Sequence, residues 1–197
     1  MSRPGSFAGV IPSAGASSRM GRPKALLPLG GETFLQRTVR TLRSGGCDPV
    51  LVVVARGEKQ LAQEAERAGA RVLFNPDPGE GPITSLRVAL EELGDSVPGL
   101  AYLPVDHPMV RAETVATLLA AARDAAAALT VPMHDGKRGH PCVFGAALFA
   151  ELTDPSLQGG ARTVVHRHLD RALLVEVHDA GVLTDIDTPE AYAAVLG

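Results

Sequence analysis

A doubly wound α/β fold, its sheet mainly parallel with some antiparallel strand in the second half, is what this sequence predicts, and three observations carry it. Short β-branched runs alternate with longer stretches of helical period, the pattern of a sheet covered by helices on both faces. Five such runs precede Met133, each pair separated by a stretch long enough for the crossover helix that parallel neighbours require. Asp135-Gly136 then divides two apolar runs, which is a hairpin signal.

In chain order, the strand-like runs are Ala8 to Pro12, Val50 to Ala55, Arg71 to Phe74, Leu100 to Val105 and Ala128 to Pro132. Between them, Thr33 to Arg43 sets Leu35, Val39 and Leu42 on one stripe, and Thr84 to Leu93 does the same with Leu86, Leu90 and Leu93. Glu58 to Ala68 and Arg111 to Ala128 are rich in alanine, a strong helix former. Their apolar faces are Leu61 with Ala65, and Val115 with Leu118, Leu119 and Ala122. Beyond the hairpin turn come a run from Pro141 to Phe144 and helices near Ala146 to Leu152 and Ala161 to Leu169. Runs at Leu173 to Val177 and Val182 to Ile186 follow, then a last helix. No repeat, linker or low-complexity tract interrupts the pattern, so residues 1–197 read as one domain. In a Rossmann-like sheet of this kind, ligands gather at the carboxyl ends of the strands.

Composition narrows the function classes. The chain has 197 residues, 45% apolar and 21% charged, enough for one full core. A net charge of −3 offers no basic excess for a polyanionic duplex, so nucleic acid is not expected as a partner. The longest strongly apolar run, Val50 to Ala55, is far short of the roughly 20 residues of a membrane helix. No membrane association is expected. Pro12 and the polar run after it interrupt any secretory h-region, and Cys47 and Cys142 stand alone, which predicts a cytoplasmic protein without a disulfide framework.

The loop after the first strand, Ser13 to Lys24, carries the strongest chemical signal. Its small residues, among them Ala14, Gly15, Ala16, Ser17, Ser18 and Gly21, let backbone N–H groups face outward, and Arg19, Arg22 and Lys24 bring three cations into six positions. Such a turn suits a triphosphate. It has neither the spacing of a Walker-type P-loop nor, at Gly79-Glu80-Gly81, that of a dinucleotide fingerprint, because Thr84 stands where the third glycine should be.

Asp106 directly follows a run that should be central and buried, and a charge there needs a partner. Mg²⁺, which takes carboxylate, phosphate and water oxygens, fits that need. A second ligand should come from Thr184-Asp185-Ile186-Asp187-Thr188-Pro189-Glu190, where a strand ends and the last helix begins. Asp187 or Thr188 stands where an N-cap is needed, with Pro189 in the first turn and Glu190 three residues past Asp187. Asp185 has no such local task and is the preferred metal ligand; Asp187 is the alternative.

The run from Pro12 to Leu29 (PSAGASSRMGRPKALLPL) resembles the signature loop of the MobA-like nucleotidyltransferases, which include molybdenum cofactor cytidylyltransferases and guanylyltransferases. Four further segments match in order: Gly81 to Leu90, Pro104 to Pro108, Arg138 to Pro141, and Asp185 to Tyr192. Where the family usually opens its loop with Leu-Ala-Ala-Gly or Leu-Ala-Gly-Gly, this chain has Pro12-Ser13-Ala14-Gly15. The resemblance implies Mg²⁺-dependent transfer of a nucleoside monophosphate, with CTP favoured over GTP, onto a phosphorylated acceptor of pterin type, with release of pyrophosphate. It implies that Gly15, Arg19 and Lys24 hold the triphosphate, that Ala14 and Ser85 lie near base and ribose with Gly81 close by, and that Asp185 occupies the metal-binding position of related sugar nucleotidyltransferases.

Residues 1–110 would then form the NTP-binding half and 111–197 the acceptor-binding half. On the acceptor side, the resemblance places the Gly139-His140-Pro141 element, with Arg138 before it, against an anionic acceptor. The Gln158 to Arg162 segment resembles one that carries an aspartate in the family and has none here. A recipient molybdoenzyme or chaperone is an implied partner. His107 adjoins the metal candidate within reach of substrate, whereas His166 and His168, two apart, point to different sides of a helix and read as solvated.

Overall fold

The computed structural model describes residues 5–15 and 23–196. Strand β1 (Ala8–Pro12) leads to a small hairpin of β2 (Pro28–Leu29) and β3 (Glu32–Thr33), then α1 (Phe34–Ser44). The next elements are β4 (Val50–Ala55), α2 (Lys59–Arg67), β5 (Arg71–Asn75), α3 (Pro82–Leu93), β6 (Gly99–Tyr102) and α4 (Ala112–Asp124). Strands β7 (Leu129–His134), β8 (Lys137–Arg138) and β9 (Cys142–Gly145) precede α5 (Phe149–Thr153), α6 (Ala161–His168), β10 (Leu173–Glu176) and α7 (Pro189–Leu196).

Side-chain alternation explains why the strands form one buried sheet. In β4, Leu51 and Val53 face one side and Val52 and Val54 the other, and all four are fully buried. A strand covered on both faces reads as a continuous apolar run, as this one does. One face is covered by α1, α2 and α4 through Leu35, Leu42, Leu61 and Leu118, the other by α3 and α5 through Leu86, Leu90 and Leu152. Each such side chain contributes about 1.5–3 kcal/mol by leaving water. Helix α1 starts on a capping box: Thr33 Oγ1 accepts from the Gln36 N–H, and Gln36 Oε1 accepts from the Thr33 N–H.

The sheet order is β10-β7-β9-β6-β1-β4-β5, with β8 beside β7. Strand β1 is parallel to β4 and β6, β4 to β5, and β7 to β10, while β9 runs antiparallel between β6 and β7. This is the doubly wound, mainly parallel architecture. The Asp135-Gly136 turn, both residues at positive φ, joins β7 to β8. Among the described residues no helix is long and apolar enough to cross a membrane.

Three expectations need correction. Val182 to Ile186 is not a strand: Ala180–Leu183 is a 3-10 turn, and Val182 and Ile186 are buried without ladder partners. The buried Asp179 carboxylate organises that turn by accepting from the Gly181 N–H at 3.0 Å, the Arg111 N–H at 2.9 Å and the Thr114 hydroxyl at 2.6 Å. Two glycines complete the fit, since a Cβ on Gly139 would strike the Val182 carbonyl and one on Gly181 the Met109 carbonyl. Second, β6 ends at Tyr102; the Leu103 N–H still donates to the Val10 carbonyl at 3.0 Å, and residues 104–107 leave the sheet. Third, α4 ends at Asp124, with Ala126 at positive φ beyond it.

Candidate active site

Strand order reverses at β1: β4 and β5 lie to one side, β6 to the other. Connections leaving the carboxyl ends at such a reversal diverge and open a crevice. Here it is a cavity of about 380 Å³. Ser13, Ala14 and Gly15 enter it from β1, Gly81 and Ser85 from the start of α3, Asp106 and His107 from the turn after β6, and Lys24 and Asp185 from loops. The fold thus gathers Ala14, Gly15, Lys24, Gly81, Ser85, Asp106 and Asp185, all drawn from the sequence. Ala16, Ser17, Ser18, Arg19 and Gly21 lie outside the described residues.

Lys24 opens a 3-10 turn, Lys24–Leu26, whose Ala25 and following Leu27 are buried and fix its backbone. Its ammonium lies 3.5 Å from Asp106 Oδ2 and makes a close ion pair with Asp187 Oδ1. Tyr192 on α7 ties this region together. Its ring meets Phe34 edge-on at 5.7 Å, and its hydroxyl donates to the Pro28 carbonyl at 2.6 Å.

Asp185 and Asp187 flank Ile186, which is fully buried and donates its N–H to the Asp106 carbonyl at 2.9 Å. That one hydrogen bond sets the acidic segment beside Asp106. Thr188 caps the start of α7, its hydroxyl accepting from the Ala191 N–H at 3.2 Å, and Asp187 makes the ion pair with Lys24. Asp106, His107 and Asp185 offer ligand atoms within 4.8 Å of one another. Among the described residues, Asp106 Oδ1 and His107 Nδ1 are buried without hydrogen-bond partners. Buried polar atoms are rarely left so. Two carboxylates with an orphaned oxygen between them fit a hard divalent cation.

Sequence reading gave His107 only proximity and missed two further groups. The His107 ring lies 4.7 Å from that of His140, which in turn lies 6.4 Å from Tyr102. Burial depresses the pKa of both imidazoles, that of His140 to about 4, and pushes the Tyr102 phenol up. Buried Asn75, at the end of β5, donates to Thr84 Oγ1 at 2.8 Å and Ser85 Oγ at 3.0 Å, and its Oδ1 accepts from the Asp77 N–H at 2.9 Å. It therefore aims Ser85 at the cavity. Ser13, also buried, has a hydroxyl with no partner among the described residues at the cavity wall. An Asn closing a strand was the available signal for the first; the second opens the small-residue loop after β1.

A second cavity, about 940 Å³, adjoins the first and shares with it Pro82, Tyr102, Pro104 and His140. Lys137 and Arg138 on the hairpin and Arg162 on α6 bring positive charge, and Ile83, Phe144 and Val165 an apolar floor. Arg138 and His140 are thus together here. Of the two histidines expected to be solvated, His166 is exposed at the rim of this cavity, whereas His168 is half-buried and its Nε2 lies 2.6 Å from Glu151 Oε2.

Residues 9–172 match the family model of the MobA-like NTP transferase domain. The chain is 30% identical to the nicotine blue oxidoreductase of Paenarthrobacter nicotinovorans, over 95% of each chain. It is 26% identical to the molybdenum cofactor cytidylyltransferase of Escherichia coli strain K12, over 93% of this chain and 92% of that one. Among solved structures, Rv0371c of Mycobacterium tuberculosis H37Rv superposes with a TM-score of 0.82 at 29% identity, covering 98% of both chains. The complex of Rv0371c with manganese gives 0.72 at 26% identity, over 97% of this chain and 98% of that one.

Proposed function

The chain belongs to the MobA-like NTP transferase family and is a nucleotidyltransferase, and on that premise we propose that it moves CMP from CTP onto the phosphate of a molybdopterin-type cofactor. The observation that carries this reading is the pairing of an acid-lined cavity with a cation-lined one across a shared wall. The first suits a metal-bound triphosphate, the second an anionic acceptor with a flat apolar body.

Asp106 and Asp185 would hold Mg²⁺, with Asp187 as the alternative ligand; when bound, the ion shields the triphosphate and orients its oxygens. The manganese complex of Rv0371c supports a divalent cation in a protein of this fold. Lys24 offsets charge that develops on the leaving group, as does Arg19 in the sequence-based assignment, while the backbone of the Ala14 to Gly21 loop cradles the phosphates. Gly81 and Ser85 position ribose and base. Arg138 and His140 orient the acceptor beside the α-phosphorus.

An acceptor phosphate oxygen forms a bond to the α-phosphorus as the bond to the α–β bridging oxygen breaks, and that electron pair departs with pyrophosphate. A phosphate monoester has its second pKa near about 6 and is already largely dianionic at neutral pH. No side chain has to remove a proton, consistent with the buried and depressed His107 and His140. Residues 1–110 serve the nucleotide and 111–197 the acceptor within one domain, with Asp185 and Asp187 reaching back across. The reaction belongs in the cytoplasm, and the finished cofactor would pass to a recipient molybdoenzyme or chaperone.

The test is pyrophosphate release with each NTP, a divalent cation and a panel of acceptors. CTP with a phosphorylated pterin should exceed every other pair. GTP in its place, or a sugar 1-phosphate or phospholactate as the better acceptor, would redirect the assignment within the same class. No release from any pair would leave a nucleotide-binding protein, or a redox activity of the kind named for the Paenarthrobacter relative.

A further inference from the structure

We propose that His107 is a third protein ligand of the metal ion, through Nδ1, and that this imidazole makes the site prefer Mn²⁺ to Mg²⁺. The inference rests on the metal assignment to Asp106 and Asp185 above and extends it to a residue that neither the carboxylate argument nor the family resemblance selects.

Three observations converge on the ring. Its ligand atom lies within 4.8 Å of those of Asp106 and Asp185. Atoms bound to one small divalent ion at about 2.1–2.2 Å each stand no more than about 4.4 Å apart, so a modest rotation of the exposed Asp185 closes the set. Next, His107 is only 8% exposed, and among the described residues its buried Nδ1 has no hydrogen-bond partner. Asp106 Oδ1, on the neighbouring residue, is orphaned in the same way. Finally, the Gly181 backbone lies close enough to the ring to favour its protonated form. A metal-bound histidine characteristically donates its other N–H to a backbone carbonyl, which fixes the tautomer with a lone pair on the metal-facing nitrogen.

The tilted contact with the His140 ring, centroids 4.7 Å apart, accounts for the ring's position but leaves Nδ1 unexplained. The choice of metal follows from the donor set. Mg²⁺ favours oxygen and keeps its water, whereas imidazole favours first-row transition ions, of which Mn²⁺ also accepts carboxylates and phosphate.

The experiment titrates the nucleotide-free protein with Mn²⁺, reading free ion by electron paramagnetic resonance and Mg²⁺ by competition. Wild type should bind Mn²⁺ more tightly than Mg²⁺. His107→Gln should weaken Mn²⁺ by about tenfold or more while Mg²⁺ changes by less than about twofold. Pulsed measurements on bound Mn²⁺ should show nitrogen hyperfine coupling in wild type and in His140→Gln, and none in His107→Gln. Equal losses for both metals, or no nitrogen coupling in wild type, overturns the proposal; the second readout stands even if His107→Gln does not fold. Pyrophosphate release measured in parallel separates the two readings. Nitrogen-coupled Mn²⁺ in a protein that turns over no NTP upholds His107 and defeats the transferase reading, and turnover without nitrogen coupling does the reverse.

Discussion

The two cavities are made from different kinds of structure. The smaller one sits where the central parallel strands β1 and β6 end, and its acids are held by buried neighbours such as Ile186. The larger one is walled by the β7–β8 hairpin and the glycine turn before α6, and its cations stand on exposed backbone. Groups set by core packing are fixed to a fraction of an ångström, whereas groups on surface turns can be exchanged with little effect on the core. On the proposed function, the chemistry of transfer would belong to the first region and the choice of acceptor to the second.

The sharpest way to break that division is Asp106→Asn. Pyrophosphate release should fall by about 10²–10³-fold, while CTP still raises the melting temperature; an equal loss of nucleotide binding would show that the two roles are not separable. Next in size is Asn75→Ala, which removes the donor to Ser85 and Thr84 from the small cavity. The cost should be about 2 kcal/mol in chemical denaturation, with weaker CTP binding and an unchanged acceptor KM. Arg138→Ala and Arg162→Ala probe the other side. Each should raise the acceptor KM by about tenfold, the worth of a charge-assisted hydrogen bond, and leave CTP affinity alone.

The smallest effect concerns the shared wall. Burial, with His107 adding to it, pushes the His140 imidazole down from 6.5 to about 4. Between those two values the unfolded chain takes up a proton that the folded chain refuses, so stability present above pH 6.5 is lost as pH falls through that window. His140→Asn lacks this penalty. Its drop in Tm between pH 7 and pH 5 should be smaller than that of wild type by a few degrees.

Much of the first region could be read in the chain because its signals are local. The apolar runs of β1, β4 and β5 are continuous, the small-residue turn follows β1 directly, and Asp106 comes just after β6. What escaped was long-range. Lys24 and Asp187 are 163 residues apart, and no pattern near either announces their ion pair. His107 gained its setting from Asp185, His140 and Gly181, three positions supplied by the second half. Val182 to Ile186 misled because burial alone gives the same apolar spacing as a strand; its amides are met by Asp179 and the Asp106 carbonyl instead of a ladder. The sequence leaves the cap of α7 between Asp187 and Thr188 because two adjacent residues can serve; Thr188 takes it.

Gly139 against Val182 and Gly181 against Met109 bolt the hairpin proposed to face the acceptor to the stretch that bears Asp185. Anyone grafting a new hairpin onto this framework to change what it modifies inherits that joint. A chimera that replaces either glycine with a bulkier residue would shift an acid at the reaction centre, and its failure would be mistaken for poor recognition of the new acceptor.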